Sequence, residues 1–168
     1  MYINYDYFIF VNSTVSGPYL PSYYKSKWTD IYIDGLKDNI KLFGSTINTI
    51  GDPINKSHVQ SYIFSMDINT LKYLIECKIF SIVNYAKSYD EAIQNKEIGM
   101  SRRIIEKGWN IGCLMNYYNG IDFTFKTKQP SEYGRYFFDD VMFQPFYNVL
   151  WNKYELVFVK GNRVNVCV

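Results

Sequence analysis

Residues 88–115 read SYDEAIQNKEIGMSRRIIEKGWNIGCLM and carry the clearest helix-to-strand signal in the chain. Ser88 and Glu91 form an S-x-x-E capping box, which is typical of a helix N-terminus. Gly108 stands at the position where a glycine commonly ends a helix. The apolar run at residues 109–115 has the length and composition of a strand. A helix followed at once by a strand is typical of an α/β fold.

On both sides of this stretch, further apolar runs of strand length occur at residues 2–11, 40–47, 60–66 and 154–160. Asp67 or Asn69 can cap a helix over residues 70–80, whose leucines and isoleucines follow helical spacing. The runs are apolar without strict alternation, which indicates strands covered on both faces. We therefore predict one α/β domain over residues 1–168, with a mixed, mostly parallel sheet flanked by helices.

The bulk composition excludes several classes of function. The 168 residues carry a formal charge of +2 with no dense basic run, which argues against nucleic acid as a partner. Cys77, Cys113 and Cys167 are widely spaced and include no C-x-x-C pair, so we expect reduced thiols and no zinc site. No signal peptide or membrane span is evident, and we expect a cytoplasmic protein.

Glu97 is an anomaly in the predicted helix over residues 88–108. At about 100° per residue it lies in the middle of an apolar stripe formed by Ile93, Met100 and Ile104. A carboxylate in that position needs a hydrogen-bonding partner, a cleft or protonation, because burying a lone charge is costly. Glu97 either forms a structural ion pair with one of the 18 basic residues, such as Arg102 or Arg103, or faces a cleft as a catalytic base.

The first predicted strand ends in the polar sequence Asn12, Ser13 and Thr14, followed by Gly17 and two prolines. Ligands of α/β proteins bind beyond the carboxyl ends of strands, so this strand end is a candidate site. The alternative is an Asx-turn that only closes the strand.

The single histidine, His58, lies beside Gln60 at the start of the 60–66 run. A lone histidine is more often structural than catalytic, and no other ligand stands at metal-binding spacing. The chain has no G-x-S-x-G, P-loop or G-x-G-x-x-G sequence, which removes the usual signatures of hydrolases, NTPases and dinucleotide enzymes.

Six segments in order carry a family resemblance: YDYFIFVNSTVSGPYLP, a lone Trp28, KLFGSTIN, HVQSYIFSMD, EIGMSRRIIEKGWNIGCLM and YELVFVKGNR. The chain resembles GT-A-type glycosyltransferases of bacterial surface-polysaccharide clusters, algae and large DNA viruses, related to rhamnan-synthesis proteins. The resemblance covers residues 5–163. It implies a GT-A-like fold that transfers a sugar from a nucleotide-sugar donor to a glycan or other hydroxyl acceptor.

The resemblance also implies roles for individual residues. Asn12 and Thr14 take the positions of an Asp-x-Asp pair, so Mg²⁺ or Mn²⁺ would be held only weakly by neutral oxygens. Glu97 is similar to the base that activates the acceptor in inverting enzymes, with Arg102 nearby. The resemblance places His58 and Gln60 at the donor or acceptor rim, and Lys160 and Arg163 at the leaving diphosphate.

The chain departs from that family at its start. The first strand matches the one after the nucleotide-binding half, so we expect a partial GT-A-like domain. Three interpretations are open: a C-terminal fragment, a degenerate remnant, or one partner of a split enzyme in which a partner chain supplies the donor-binding half. Two functions stay open at this point. One is a catalytic glycosyltransferase half with Glu97 as base, and the other is a non-catalytic carbohydrate-binding or assembly module that keeps the fold without turnover.

Overall fold

The structure, a computed structural model, describes residues 4–49, 51–133 and 151–161. The strands in these ranges are β1 Tyr7–Val11, β2 Val15–Ser16, β3 Ile40–Gly44, β4 Ile47–Asn48, β5 His58–Val59, β6 Ile63–Asp67, β7 Asn110–Cys113 and β8 Val159–Lys160. The α-helices are α1 Trp28–Asp34, α2 Pro53–Lys56, α3 Ile68–Glu76, α4 Tyr89–Glu91, α5 Gly99–Glu106 and α6 Lys153–Leu156. A π-helix spans Ala92–Ile98, and 3-10 helices span Asn116–Tyr118 and Pro130–Tyr133.

The predicted helix after Ser88 is confirmed, although it is not α-helical throughout. The Ser88 hydroxyl oxygen accepts the Glu91 N–H at 3.2 Å, and the Glu91 carboxylate reaches back to the Lys87 N–H at 2.8 Å. Gly108 has a φ of +85°, the left-handed conformation expected after a helix end. Between these ends, the chain widens into the π-helix before it tightens again into α5. Such wider turns are rare and often occur at functional sites.

The prediction that the sheet is mostly parallel is wrong for the described strands. The four-stranded sheet has the order β1-β6-β3-β7, in which β6 runs antiparallel to both of its neighbours. Only β3 and β7 pair in parallel, after a connection that contains α3 and α5. A continuous apolar run shows that both faces of a strand are covered but carries no information on strand direction, which explains the error.

The first strand is also less buried than its sequence predicts. Within the described sheet β1 is an edge strand, and its terminal residues, Tyr7 and Val11, are exposed. Its central residues, Phe8, Ile9 and Phe10, are half-buried. Phe10 stacks on Phe64 of the neighbouring strand at a centroid distance of 4.9 Å, so the aromatic content of β1 serves packing across the pair.

The core lies on both faces of the sheet, as the apolar runs predict. On one face, Leu42, Phe64 and Met66 pack against side chains of α3 and α5. On the other face, Phe43 and Ile63 pack against Tyr32 of α1 and against residues 157–158. Burial raises the pKa of the Tyr32 hydroxyl, which pairs with the Ser45 hydroxyl at 2.6 Å. Helices therefore flank a mixed sheet, and the mixed α/β class is confirmed.

The predicted strand at residues 154–160 is only partly correct. The Asn152 side chain accepts the Tyr154 N–H at 2.8 Å and caps α6, so this segment begins as one helical turn. Val157 then takes a positive φ of 61°, and β8 follows as a short strand paired with β2. Among the described residues, no helix has both the length and the apolar character required to cross a bilayer.

Gly44 provides a test of how tightly the sheet is packed. A Cβ at this position would lie 2.4 Å from Val59 Cγ1 and 2.7 Å from the Ile63 carbonyl oxygen. We expect Gly44→Ala to lower the free energy of unfolding by about 1–3 kcal/mol, because backbone and packed side chains must move. The matched control is Gly99→Ala in α5, where a Cβ meets nothing closer than 3.4 Å. That variant should be neutral or stabilising by about 0.5–1 kcal/mol, because alanine favours a helix. Urea unfolding of both variants measures this, and equal effects would contradict the packing described for Gly44.

Candidate functional site

A cleft of about 380 Å³ lies beside the end of β1. Its walls mix aromatic and aliphatic groups with a few polar groups, which is the usual composition of a small-molecule site. The lining residues are Asn12, Ser61, Tyr62, Phe64, Ile79, Phe80, Tyr89, Ala92, Ile93, Lys96, Glu97, Met100 and Lys160.

Three residues singled out from the sequence line this cleft together: Asn12, Glu97 and Lys160. Asn12 directly follows β1, and its N–H donates to the Tyr62 carbonyl at 3.0 Å. Glu97 belongs to the π-helix. Lys160 lies in β8 and pairs with Val15 just beyond the Asn12 turn. The two small strands thus bring a C-terminal lysine to the end of β1.

Glu97 forms a hydrogen bond with the backbone. Its Oε1 accepts the Ser61 N–H at 2.7 Å, while Oε2 accepts no hydrogen bond from the described residues. The alternative of an ion pair with Arg102 or Arg103 is wrong. Arg102 donates to the Ile54 carbonyl at 2.6 Å, and Arg103 pairs with Glu106 at 3.1 Å. One carboxylate oxygen is therefore fixed, and the other is left for a ligand in the cleft.

Like the bond from Arg102 to the Ile54 carbonyl, the hydrogen bond between Glu97 and the Ser61 N–H ties the helical segment to the chain before β6. One turn further along, the buried hydroxyl of Ser101 accepts the Val59 N–H at 3.0 Å. Glu97 and Ser101 are four residues apart; Glu97 accepts the N–H of Ser61 in the turn before β6, and Ser101 accepts the N–H of Val59 in β5. Glu97 therefore has a structural role in addition to its position in the cleft.

The Asn12 turn has the geometry of an Asx-turn. Asn12 Oδ1 accepts the Thr14 N–H at 2.9 Å and the Thr14 hydroxyl at 2.7 Å. The Thr14 carbonyl accepts the Gly161 N–H at 2.7 Å, which ties the turn to the chain after β8. Ser13 and Thr14 are exposed and do not line the cleft. The turn therefore closes the strand and at the same time holds Asn12 at the cleft wall.

The described residues do not fit a tightly held divalent cation. They contain no group of three or more His, Cys, Asp or Glu side chains that could hold a metal ion. The Asn12 amide oxygen already accepts two hydrogen bonds, and Mg²⁺ or Mn²⁺ prefers carboxylates and water. The proposed chemistry of this cleft therefore gives no role to a metal ion.

Gly17 lies away from the cleft and has a packing role. It adopts a φ of +138°, and a Cβ there would lie 2.5 Å from the Val157 carbonyl oxygen. The same carbonyl accepts the Tyr19 N–H at 2.7 Å. Only glycine fits this close backbone approach without strain. Gly17, predicted from the sequence to belong to the candidate site after β1, instead contacts the segment before β8.

His58 and Gln60 do not reach the cleft rim that the resemblance implies for them. Both side chains are buried. His58 Nδ1 is 2.7 Å from the Lys56 carbonyl oxygen, and Gln60 Oε1 accepts the Thr46 hydroxyl at 2.8 Å. Both side chains are held by hydrogen bonds inside the fold, and neither lines the cleft that contains Glu97.

Arg102 was predicted to contact substrate, but it does not line this cleft. Arg102 faces α2, where its guanidinium holds the Ile54 carbonyl. Arg163 lies outside the described residues, as does Cys167. Of the basic residues proposed for substrate contact, Lys160 is the one that the described structure places in the cleft.

Lys96 and the aromatic walls are site residues that the sequence reasoning missed. The Lys96 ammonium donates to the carbonyls of Lys78 at 2.8 Å, of Ile79 at 3.1 Å and of Asn84. A lysine next to Glu97 in a helix is normally interpreted as solvated, so no sequence signal indicated this cluster. Phe80 stacks on Phe10 at 5.3 Å and contributes to the cleft wall, a contact between segments that sequence spacing does not reveal.

Comparisons of the chain with protein-family models, curated proteins and solved structures found no match. The resemblance to GT-A-type glycosyltransferases therefore stays a prediction from the sequence motifs. The residues that line the cleft are therefore the basis for any proposal about its chemistry.

The structural role of Glu97 can be measured separately from any activity. We expect Glu97→Ala to lower the free energy of unfolding by about 1–2 kcal/mol, because the Ser61 N–H loses a charged acceptor. Glu97→Gln keeps an acceptor oxygen and should cost less than half as much. Gln94→Ala, on an exposed position of the same π-helix, is the control and should stay within about 0.5 kcal/mol of wild type. If Glu97→Ala behaves like the control in urea unfolding, the hydrogen bond to Ser61 contributes nothing to stability.

Proposed function

We propose that this chain is a glycosyltransferase-type domain in which Glu97 is the base that activates an acceptor hydroxyl. The observation that carries the proposal is the meeting of Asn12, Glu97 and Lys160 in one cleft. Asn12 directly follows β1, Glu97 belongs to the π-helix and Lys160 belongs to β8. The family resemblance had assigned all three to sugar transfer, and sequence periodicity had separately singled out Glu97.

The chemistry follows from the positions of the charged groups. Glu97 Oε2, which is not engaged by the described residues, would accept the hydroxyl proton as the acceptor oxygen forms a bond to C1 of the donor sugar. The bond from C1 to the diphosphate oxygen breaks at the same time, and its electron pair leaves with the diphosphate. The Lys160 ammonium lines the same cleft and would stabilise the developing negative charge. An attack from the face opposite the leaving group inverts the configuration at C1.

The cleft walls support a sugar as the ligand. The exposed ring of Tyr89 offers an apolar face and a hydrogen-bonding group together. Asn12 adds an amide, and Glu97 adds an acceptor for hydroxyl groups. Such a mixture suits a ligand that presents both C–H surfaces and hydroxyls. The proposal includes a cytoplasmic location, where nucleotide-sugar donors are made.

A second candidate function is a carbohydrate-binding or assembly module without turnover. The observation that favours it is the small number of cations at the cleft. Lys160 and Lys96 are the described basic residues that line it, and the Lys96 ammonium is held by three backbone carbonyls. A diphosphate leaving group carries several negative charges. A partner chain that supplies further donor contacts would reconcile this cleft with catalysis.

A transfer assay of Glu97→Gln tests the catalytic proposal. The resemblance implies that a further half of the domain supplies part of the donor site, so we expect this chain alone to bind UDP-, GDP- and dTDP-sugars weakly and to transfer sugar from one of them slowly. Glu97→Gln should be slower by at least about 100-fold, because the amide cannot accept the proton. Gln94→Ala should keep the wild-type rate. Sugar binding by both proteins without any transfer, measured by NMR titration, would favour the binding module. A Glu97→Gln rate equal to that of wild type would exclude Glu97 as the base.

Asn12, the neutral residue after β1, provides a separate test of the resemblance to GT-A-type glycosyltransferases. Asn12→Asp should keep the turn, because a carboxylate oxygen can still accept from Thr14. It would also place a second carboxylate in the cleft with Glu97, and we expect Mn²⁺ to raise the melting temperature of this variant more than that of wild type. Ser13→Asp adds the same charge next to the cleft and is the control. Equal Mn²⁺ responses of the two variants would show that position 12 has no special relation to a cation.

A further inference from the structure

The loop between α3 and α4, residues 77–88, carries an exposed apolar tip. Its two outermost side chains, Ile82 and Val83, are 95% and 83% exposed. Tyr85 in the loop and Tyr89 directly after it are exposed as well. Single exposed apolar residues are ordinary, but a cluster within one short segment indicates a contact surface. We call Ile82 and Val83 the apolar tip.

The backbone of the tip is tied down by hydrogen bonds within the protein. The Ser81 hydroxyl accepts the N–H groups of Val83 at 3.2 Å and Asn84 at 3.0 Å. The Lys96 ammonium holds the carbonyls on both sides of the tip, at Lys78, Ile79 and Asn84. These bonds satisfy part of the loop backbone, so fewer polar groups lose water without replacement when the tip enters an apolar phase.

The charges of the loop are of one sign. Lys78 and Lys87 are both exposed, and residues 77–88 include no acidic residue. Glu76 precedes the segment, and Asp90 and Glu91 follow it at the start of α4. Lysines near an apolar tip attract anionic lipid headgroups, and tyrosines favour the boundary between headgroups and acyl chains.

We propose that the apolar tip inserts into the interfacial region of an anionic lipid bilayer. The combination of two aliphatic side chains, flanking tyrosines and flanking lysines matches the composition of such anchors. A protein partner is less well matched, because a stable protein interface buries about 800 Å² on each side and a two-residue tip presents far less. The loop would hold the chain at the membrane surface without crossing it.

This placement would bring the cleft to the membrane surface. Ile79 and Phe80, at the base of the loop, and Tyr89, after it, all line the cleft that contains Glu97. With the tip in the bilayer, the cleft opens close to the headgroups. The acceptor would then be a hydroxyl of a lipid-linked glycan. This last step rests on the proposed glycosyltransferase function, whereas membrane binding itself does not.

Vesicle co-sedimentation tests the membrane contact without any donor or acceptor. The probe is a vesicle of equal parts phosphatidylcholine and phosphatidylglycerol, compared with pure phosphatidylcholine. We expect the wild-type chain to bind the anionic vesicles, and the double variant Ile82→Ser/Val83→Ser to bind at least about tenfold more weakly. Lys78→Ala and Lys87→Ala should each weaken binding about fivefold at low salt. Tyr23→Ser removes an exposed aromatic group outside the loop and is the matched control, with binding unchanged.

Two results would overturn the proposal. One is equal or absent sedimentation of the wild-type chain and the double variant with anionic vesicles. The other is a wild-type dimer in analytical ultracentrifugation that the double variant converts to a monomer, since the tip would then be covered by a second copy. Thermal melts of all variants should match wild type, because the exchanged side chains are exposed. If vesicle binding behaves as expected but Glu97→Gln and wild type transfer no sugar to a glycolipid, the membrane contact stands and the proposed function fails.

Discussion

Burial of β6 on both faces is the constraint on which the rest of the fold depends. Ile63 and Ser65 face α1, and the Ser65 hydroxyl donates to the Tyr32 carbonyl at 2.7 Å. Phe64 and Met66 face the opposite side and pack with α3 and α5. A strand with two apolar faces cannot be left open to water on either side, so the chain must supply cover on both. The segment after α6 packs with α1 on one of these faces. Its path across the sheet brings Lys160 to the end of β1.

Sequence reasoning predicted the elements of this fold better than their arrangement. The caps at Ser88 and Asp67 and the glycine at 108 were correct because capping depends on local hydrogen bonds, which a few neighbouring residues determine. Strand direction and the edge position of β1 depend on contacts between distant segments. An apolar run indicates neither the direction of a strand nor its position in the sheet. The helical turn of α6 was missed because Tyr154 and Leu156 fit a strand as well as a helix, and the capping Asn152 decides between them.

The same division applies to the candidate site. Glu97 was identifiable because a carboxylate within an apolar helical stripe is unusual. That pattern can be recognised from the amino-acid sequence alone. Asn12 and Lys160 needed the family resemblance to be connected with it. His58 and Gln60 are also polar residues beside an apolar run, but their side chains form hydrogen bonds inside the fold. Whether a polar residue faces a ligand or a buried partner is decided by tertiary packing, which spacing alone does not encode.

The π-helix has a consequence for how this cleft can change over evolutionary time. A π turn accommodates an additional residue compared with an α turn, so the helix accepts an insertion without breaking its flanking segments. A one-residue deletion between Ala92 and Ile98 would restore α geometry and rotate the preceding helical residues by about 100° relative to α5. Ser101 and the buried side chains of α5 would keep their places, whereas residues at the cleft end would exchange faces. Glu97 lies four residues before Ser101, so a deletion before Glu97 would leave the acid in place and exchange the side chains beside it, such as that of Tyr89. The neighbours of the acid in the cleft are thus set by a chain-length difference of a single codon.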